Sequence, residues 1–458
     1  KRTSTYAIPF AFDELPYEEA LAIAMDTGRL PGGGVAAGPL LETVVEMLDE
    51  LERPDEHFDC LQVAGTNGKT STTRFTAAIL RGEGLRTALY TSPQLVRYEE
   101  RMEVEGAVVK PGAFAHGVSA AAEAGRRVNT RRAAAGDEAF SITPFDLLTV
   151  AALVIFAEAR VDVAVLEVGL GGRWDATSAT DPVAVAVTGI GLDHMRILGH
   201  TLAAIAGEKA AVIKPGRAVV LGEGTREPSV RRVMEERCAA CGVEPFTVTH
   251  ETLEVPDHLG GTLAFRTHGA YGSYTSRLAK PAYQAQNAAC AIALAESYLG
   301  RRLDPVALDA SLMACPTPGR FDVLRSEPLV LIDACHNPQS CENFVSSLNE
   351  IDSDVARRPL LLMAALSDKD VEGIVRVLVP SFPRIAATAT ASDRALPAPE
   401  LAALVRAELD RLGRASGDLA GVYPTVRDAI DACTRAGEPL VAAGTITLAG
   451  EVAGILRP

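Results

Sequence analysis

The run Val63-Ala64-Gly65-Thr66-Asn67-Gly68-Lys69-Thr70-Ser71 stands between an apolar stretch, Cys60 to Ala64, and a stretch with helical spacing, Thr70 to Arg81, that runs out at Gly82 and Gly84. A strand, a glycine loop and a helix start in that order leave few folds open. Glycine lets backbone amides turn toward one point, and the positive end of the helix faces the same point. That point takes an anion, and Lys69 can reach the outer charges of a polyphosphate. The order predicts a P-loop in an α/β domain. Val63 stands where G-x-x-x-x-G-K-[ST] has its first glycine, so the loop is a shortened form, with Gly65, Thr66, Asn67, Gly68, Lys69, Thr70 and Ser71 as candidate phosphate contacts.

Further apolar runs at Thr87–Thr91, Val161–Val168, Val183–Thr188 and Ala218–Leu221 alternate with longer amphipathic stretches, which predicts a mostly parallel sheet flanked by helices. In such sheets ligands gather beyond the carboxyl ends of the strands. After a helical stretch, Ala288–Leu299, the segment Cys315-Pro316-Thr317-Pro318-Gly319-Arg320 cannot continue a helix and marks a boundary. The alternation then restarts with strands expected at Leu329–Asp333, Leu360–Ala364, Arg384–Thr388 and Pro439–Ala443. The expected organisation is a P-loop domain over residues 1–315 and a smaller Rossmann-like α/β domain over 316–458. The Ala-rich segment Ser119–Ala139 reads as a helix with a charged face followed by an exposed loop.

With 458 residues, 48% of them hydrophobic and 22% charged, the chain has the usage of a soluble protein of two or three domains. Its 59 acidic and 44 basic side chains leave a net charge of −15, which repels nucleic acid and requires any anionic ligand to be held by a focused local site. The richest apolar run, Val161–Leu170, is broken by Asp162 and Glu167, so no membrane span is expected. Lys1–Phe10 lacks the pattern of a secretory signal, and eight dispersed cysteines suit a reducing cytoplasm, the expected location. Cys238 and Cys241 have C-x-x-C spacing but no further ligands nearby, and read as two helix-end cysteines.

Glu167 comes at the end of an apolar run and is followed by Gly169, Gly171 and Gly172. A carboxylate there is costly unless it meets a cation, and Mg²⁺ prefers such oxygen ligands. Alone it would be a cap or salt-bridge partner; beside a P-loop it is the metal candidate. His194, next to Asp193, is either a packed or solvated imidazole or a metal ligand. Lys209, in the mostly apolar run Ile205–Ala210, reads by periodicity as a snorkelling surface lysine.

Seven motifs in order, GTNGKTS at 65–71, TSPQL at 91–95, LEVGLGGRWDAT at 166–177, GLDH at 191–194, EKA at 208–210, PGRFD at 318–322 and DACHNP at 333–338, resemble those of the folylpolyglutamate synthase and dihydrofolate synthase family within the Mur-ligase superfamily. The resemblance implies an ATP-dependent ligase. ATP would phosphorylate a folate or pteroate carboxylate, and the amine of L-glutamate would attack the acyl phosphate. Two domains closing over the site would keep water from that intermediate. Position by position, Gly68 to Ser71 would hold the phosphates, Ser92 and Glu167 one Mg²⁺ with Thr70 suited to the same ion, and His194 a second. Lys209 matches a lysine that carries a CO₂-derived carbamate, which turns a cation into an anion able to support metal. Asn287, Arg320, Asp333 and His336 match nucleotide contacts, and Thr143, Pro144, Phe145, Arg173, Trp174, Asp175 and Ala176 fall in substrate-contacting segments. A monomer is expected.

The sequence also departs from the family pattern. Thr70 stands where glycine is frequent, Gln94 and Tyr283 where histidines are frequent, and Cys335 where a small residue is usual, reading as a packed thiol. The segment Asp26–Gly34 does not preserve the pterin-side loop near the start. Two other readings compete: a cell-wall ligase of the same chemistry, and a nucleotide-binding regulator. Only 64 residues precede Gly65, little room for a nucleotide-sugar domain, and a regulator needs none of Glu167, His194 and Lys209.

Overall fold

The structure, a computed structural model, describes residues 5–29, 41–192 and 194–456. Leu30–Gly34 of the N-terminal segment and Asp193 lie outside the described residues. Helices α1 (Tyr17–Met25) and α2 (Leu41–Glu50) precede strand β1 (Asp59–Ala64), which passes through the glycine loop into α3 (Lys69–Gly82) and β2 (Thr87–Tyr90). A short pair, β3 (Met102–Val104) and β4 (Ala107–Val108), leads to α4 (Pro111–Ala135) and α5 (Pro144–Glu158), then to β5 (Val163–Glu167) and β6 (Ala184–Gly189). The segment is completed by α6 (Met195–Leu198), α7 (Leu202–Ala210), β7 (Ala218–Gly224), α8 (Pro228–Cys241) and β8 (Pro245–Thr247).

These strands form one sheet in the order β4-β3-β2-β5-β1-β6-β7-β8. It is parallel from β2 to β8 and antiparallel only at the β3 and β4 edge. The register sets Val63 opposite Glu167, so the glycine loop and the carboxylate leave the sheet at one level, from neighbouring strands. That is the carboxyl-end crevice where ligands bind in open α/β sheets.

Strands β9 (His250–Glu254), β10 (Leu263–His268) and β11 (Ser273–Leu278) make a three-stranded sheet, followed by α9 (Gln284–Leu299) and α10 (Pro305–Ala314). The remaining chain runs β12 (Asp322–Ser326), β13 (Leu329–Ile332), α11 (Pro338–Ile351), β14 (Leu360–Met363), α12 (Val371–Leu378), β15 (Ile385–Thr388), α13 (Ala398–Arg411), β16 (Leu419–Tyr423), α14 (Val426–Ala436), β17 (Leu440–Ala443) and α15 (Ile446–Leu456). Its sheet has the order β12-β13-β17-β14-β15-β16, parallel but for β12.

The chain divides into two compact units, one of Lys1–Glu251, Arg266–Ser276 and Gln286–Cys315, the other of Thr252–Phe265, Arg277–Ala285 and Pro316–Pro458. A single cut at residue 315 therefore leaves out two segments, 252–265 and 277–285, that group with the later unit. Prolines mark where a helix stops; they carry no information on such excursions. Among the described residues no helix is long and apolar enough to cross a membrane.

The Ala-rich segment differs from its sequence reading. Helix α4 starts at Pro111, not near Ser119, and buries Phe114, Ala115, Val118, Ala121 and Val128. Small residues bring it against α5: a Cβ on Gly117 would stand 2.6 Å from Ile155 Cδ1. Helix α5 is buried from Asp146 to Ala157 and apolar nearly all round, as an interior helix should be. Its start is fixed by a capping box, in which Thr143 Oγ1 accepts from the Asp146 amide at 3.1 Å and Asp146 accepts from the Thr143 amide at 3.0 Å. Cys238 and Cys241 occupy the last turn of α8.

The segment before α1 is strapped to α4 by the Leu15 amide, which donates to Ser119 Oγ at 3.0 Å, and by His116, whose Nδ1 lies 2.5 Å from Glu14 and Nε2 2.9 Å from Glu158. The Glu158 carboxylate, with Glu14 behind it, raises the imidazole to about 9 against the opposing effect of partial burial. A raised folded-state value makes this stabilisation complete below the ordinary histidine value of about 6.5 and progressively lost as pH rises through about 9. Urea unfolding midpoints should fall between pH 6.5 and 9 in the wild type, and His116→Gln should be less stable at pH 6.5 with a flatter profile across that window. Equal slopes in the two proteins would show that the pair contributes nothing.

Candidate active site

β1 ends at Ala64 and the chain turns at Gly65, with φ 150°, and at Gly68, with φ 80°. Both glycines are required by their neighbours. A Cβ on Gly65 would lie 2.0 Å from Thr188 Oγ1, and one on Gly68 would lie 2.2 Å from Asn287 Oδ1. Thr188, at the end of β6, donates its hydroxyl to Asn67 O at 2.6 Å. Thr66 Oγ1 accepts from the Gly191 amide at 3.0 Å, and the Thr66 amide donates to Gly189 O at 2.8 Å. The loop is thus held in shape by β6 and the turn that follows it. Two lysines converge on one carbonyl: Lys69 Nζ and Lys209 Nζ donate to Gly65 O at 3.0 and 2.9 Å. Lys209 is buried, so the surface reading that its periodicity suggested is corrected; α7 turns it inward to the loop.

Glu167 is 2% exposed at the end of β5. Its Oε1 accepts from Thr70 Oγ1 at 2.7 Å and its Oε2 from the Ser92 amide at 3.1 Å. Burial pushes the carboxyl above the usual carboxylate range, against the pull of Lys69 and the two hydrogen bonds. The structure therefore brings Thr70, Ser92 and Glu167 together. Among the described residues no three His, Cys, Asp or Glu side chains converge on a point. One carboxylate with two hydroxyl residues is a hard-oxygen set that fits Mg²⁺, which keeps several waters and takes other ligands from phosphate. His194 stands exposed at the start of α6, with a left-handed φ of 48°.

Beside Ser92 opens a cavity of about 660 Å³ whose walls include Thr143, Phe145, Trp174, Ile197 and Leu198. Trp174 is 54% exposed just after the Gly169–Gly172 run, whereas Asp175 and Ala176 that follow it are buried. Asp175 shapes this loop: its carboxylate accepts from the Gly169 and Leu170 amides at 2.8 and 2.9 Å and from the amide and hydroxyl of Thr177 at 3.0 and 2.5 Å. A Cβ at Gly169 would meet Phe145 Cζ at 2.6 Å, so glycine there admits the ring. Pro144 opens α5 just before Phe145, and Ala176 is buried against the cavity. Arg173 stands between two residues that line the cavity, Gly172 and Trp174, with Nε 3.1 Å from Oε1 of Glu208, which lines it too. Arg101 also reaches the cavity and donates to Gln94 Oε1 at 2.7 Å. Sequence reasoning assigned Arg101, Thr188 and Glu208 no role, although Thr188 closes an apolar strand with a polar residue and Glu208 opens the motif at 208–210.

In the later unit β13 ends before Asp333, whose carboxylate accepts from the amides of Phe321 and Cys335, each at 2.9 Å. Burial pushes Asp333 up and Arg320 pulls it down. Arg320 is exposed, and His336 Nδ1 pairs with Ala334 O at 2.9 Å. The neighbouring Cys341 thiol and burial hold the Cys335 thiol well above the usual range, as befits a packed thiol.

A glycine loop on a parallel sheet, a buried carboxylate beside it and a second α/β unit define a P-loop ligase of the Mur type. Residues 63–295 match the Mur ligase middle domain, and residues 319–449 the Mur ligase, glutamate ligase domain. The chain is 33% identical over 439 residues to the dihydrofolate synthase/folylpolyglutamate synthase of Mycobacterium tuberculosis, covering 90% of this chain and 87% of that protein. The structure of the Mycobacterium tuberculosis folylpolyglutamate synthase complexed with ADP and AMPPCP superposes with a TM-score of 0.79 at 29% identity, covering 97% of this chain and 99% of that one. An FPGS–AMPPCP–folate complex superposes with a TM-score of 0.75 at 26% identity, covering 97% and 100%. The chain belongs to the dihydrofolate synthase/folylpolyglutamate synthase family.

Gly68→Ala should be destabilising by roughly 1–3 kcal/mol, because alanine is strained at this φ and must displace the Asn287 amide. Thermal unfolding within 1 °C of the wild type would show that the loop accommodates the methyl.

Proposed function

We infer that this chain is an ATP-dependent ligase that joins L-glutamate to a folate through an acyl phosphate, extending tetrahydrofolates and also converting dihydropteroate to dihydrofolate. The observation that carries the reading is Ser92, whose amide binds Glu167 and whose residue also lines the large cavity. The phosphate end of the site and the acceptor end therefore share a wall.

With the acceptor's ring end between Phe145 and Trp174, its carboxylate points toward Ser92. Lys69, Thr70 and the loop amides Gly65 to Ser71 hold the polyphosphate, and Lys69 leaves the Gly65 carbonyl to reach it. The carboxylate oxygen attacks the γ-phosphorus, ADP departs, and the neutral amine of glutamate attacks the acyl carbon as phosphate leaves and a proton is released. Positioning and charge stabilisation supply most of the rate, since the protein forms no bond to the reactants. Thr70, Ser92 and Glu167 would hold one Mg²⁺ and His194 a second, and such ions supply positive charge to the phosphate oxygens. Lys209, buried and aimed at the P-loop, would carry a carbamate. Most of residues 1–315 would be the ATP-binding part and 316–458 the bulk of the glutamate-ligase part, and by the family resemblance Asn287 in the one, and Arg320, Asp333 and His336 in the other, would each contact nucleotide.

Phosphate release by the wild type should require glutamate and either tetrahydrofolate or dihydropteroate; dependence on a cell-wall precursor instead would remove the folate assignment. Lys69→Ala and Glu167→Gln should each lower ligation by about 10²-fold or more while the thermal transition persists. Near-wild-type turnover of either at saturating ATP would displace that residue from the machinery. Lys209→Arg should be as inactive as Lys209→Ala, since it stays cationic and cannot take up CO₂, and acetate should partly restore only the alanine variant. A fully active Lys209→Arg would rule out the carbamate.

A further inference from the structure

We propose that the Arg173–Glu208 pair on the cavity rim is a selectivity device: Arg173 exchanges Glu208 for the α-carboxylate of a glutamyl tail, and so favours acceptors that already carry glutamate. The proposal rests on the ligase reading above and assigns Arg173 to the tail, where the family resemblance had placed it among substrate contacts without distinction.

Three observations carry it. The first is the weakness of the pair. Arg173 Nε is 3.1 Å from Glu208 Oε1, its NH2 group is 3.4 Å from Gly207 O, and the two side chains are 45% and 31% exposed. An ion pair so open to solvent contributes at most about 1 kcal/mol, so its partners separate at little cost. Two residues further on, Asp175 is fixed by four hydrogen bonds and cannot exchange anything.

The second is position. Glu208 lines the cavity, and Gly172 and Trp174, on either side of Arg173, line it too. The residue after Glu208 is Lys209, whose Nζ bonds the Gly65 carbonyl of the P-loop at 2.9 Å. This turn of α7 therefore joins the cavity wall to the P-loop, so that Glu208 draws Arg173 toward the side where the reacting end of the acceptor would lie.

The third is chemistry. An acceptor that ends in glutamate presents two carboxylates, only one of which reacts; the other, three carbon atoms away, would stand as a bare anion near Glu208 and the phosphates. Dihydropteroate presents only the reacting carboxylate. Of the rim and lining cations, Arg101 is committed to Gln94 and lies over the Tyr98 ring at 5.1 Å. Arg173 offers a planar fork that matches a carboxylate with two parallel hydrogen bonds.

The measurement is the selectivity ratio, kcat/KM for tetrahydrofolate divided by that for dihydropteroate, in the wild type, Arg173→Gln and Glu208→Gln. Arg173→Gln should lower the ratio by about tenfold or more, mainly through KM for tetrahydrofolate, as expected for loss of hydrogen bonds to a charged group. Glu208→Gln removes the resting competitor and should raise the ratio by about threefold. A pair that merely braces the glycine loop against α7 would move both variants in the same direction, or leave the ratio unmoved, and either result overturns the proposal. Fluorescence of Trp174, the chain's one tryptophan, reads binding directly: Arg173→Gln should weaken tetrahydrofolate about tenfold and tetrahydropteroate by less than twofold, and equal weakening counts against it. A wild type active on dihydropteroate alone would overturn this inference and leave the ligase reading intact, whereas no glutamate-dependent ligation with either acceptor would remove that reading itself.

Discussion

A carboxylate almost fully withdrawn from water at the end of β5 governs the first unit. Glu167 cannot remain charged there without help, and the chain supplies it from three directions: the Thr70 hydroxyl, the Ser92 amide and the ammonium of Lys69. Lys69 and Thr70 come from the connection that follows β1, and Ser92 from the one that follows β2, both leaving the same edge of the sheet. The register that sets Val63 against Glu167 makes the convergence possible, since a shift of one residue would turn the side chain to the other face of the sheet. The parallel sheet is thus less a scaffold beneath the site than the means by which two loops meet at one anion.

The same device recurs with a different purpose at two aspartates. Asp175 gathers the amides of the glycine loop and the Thr177 hydroxyl, and Asp333 gathers the amides of Phe321 and Cys335. Buried carboxylates of this kind give shape to loops that have no regular backbone pairing of their own. In the first case the result is a cavity wall with a backbone close enough to Phe145 that no side chain fits between them. Rigidity around the cavity contrasts with its rim, where Arg173 and Glu208 meet in the open.

Much of this was legible in the sequence because it is local. A change of period from strand to helix across glycines marks β1, the loop and α3, and ordered motifs mark Thr70, Ser92 and Glu167. What was not legible depends on distance along the chain. Strands β9, β12 and β16 are short, and β10 and β11 alternate but bury polar Thr267 and Ser276 among their apolar residues, so no apolar run marks them; Gly112 and Gly117 disguise the beginning of α4. Lys209 shows the limit most clearly. Its sequence neighbourhood describes a surface lysine, and only the path of α7 back to the glycine loop makes it an interior one. Glu208 and Arg101 acquire their place in the cavity in the same way, through elements far apart in the chain.

The Gly65 carbonyl, which accepts from both Lys69 and Lys209, has two lone pairs and serves two side-chain nitrogens, a bond that the N–H left on a carbamate would keep. Were a phosphate to draw Lys69 away, the carbonyl would still have Lys209, and Lys69 would exchange two carbonyl acceptors, Gly65 O and Thr66 O, for a stronger one. Neither group passes through an unpaired buried state, which would cost about 1–3 kcal/mol. On the proposed ligase reading, the arrival of nucleotide would be a handover between acceptors instead of a refolding of the loop.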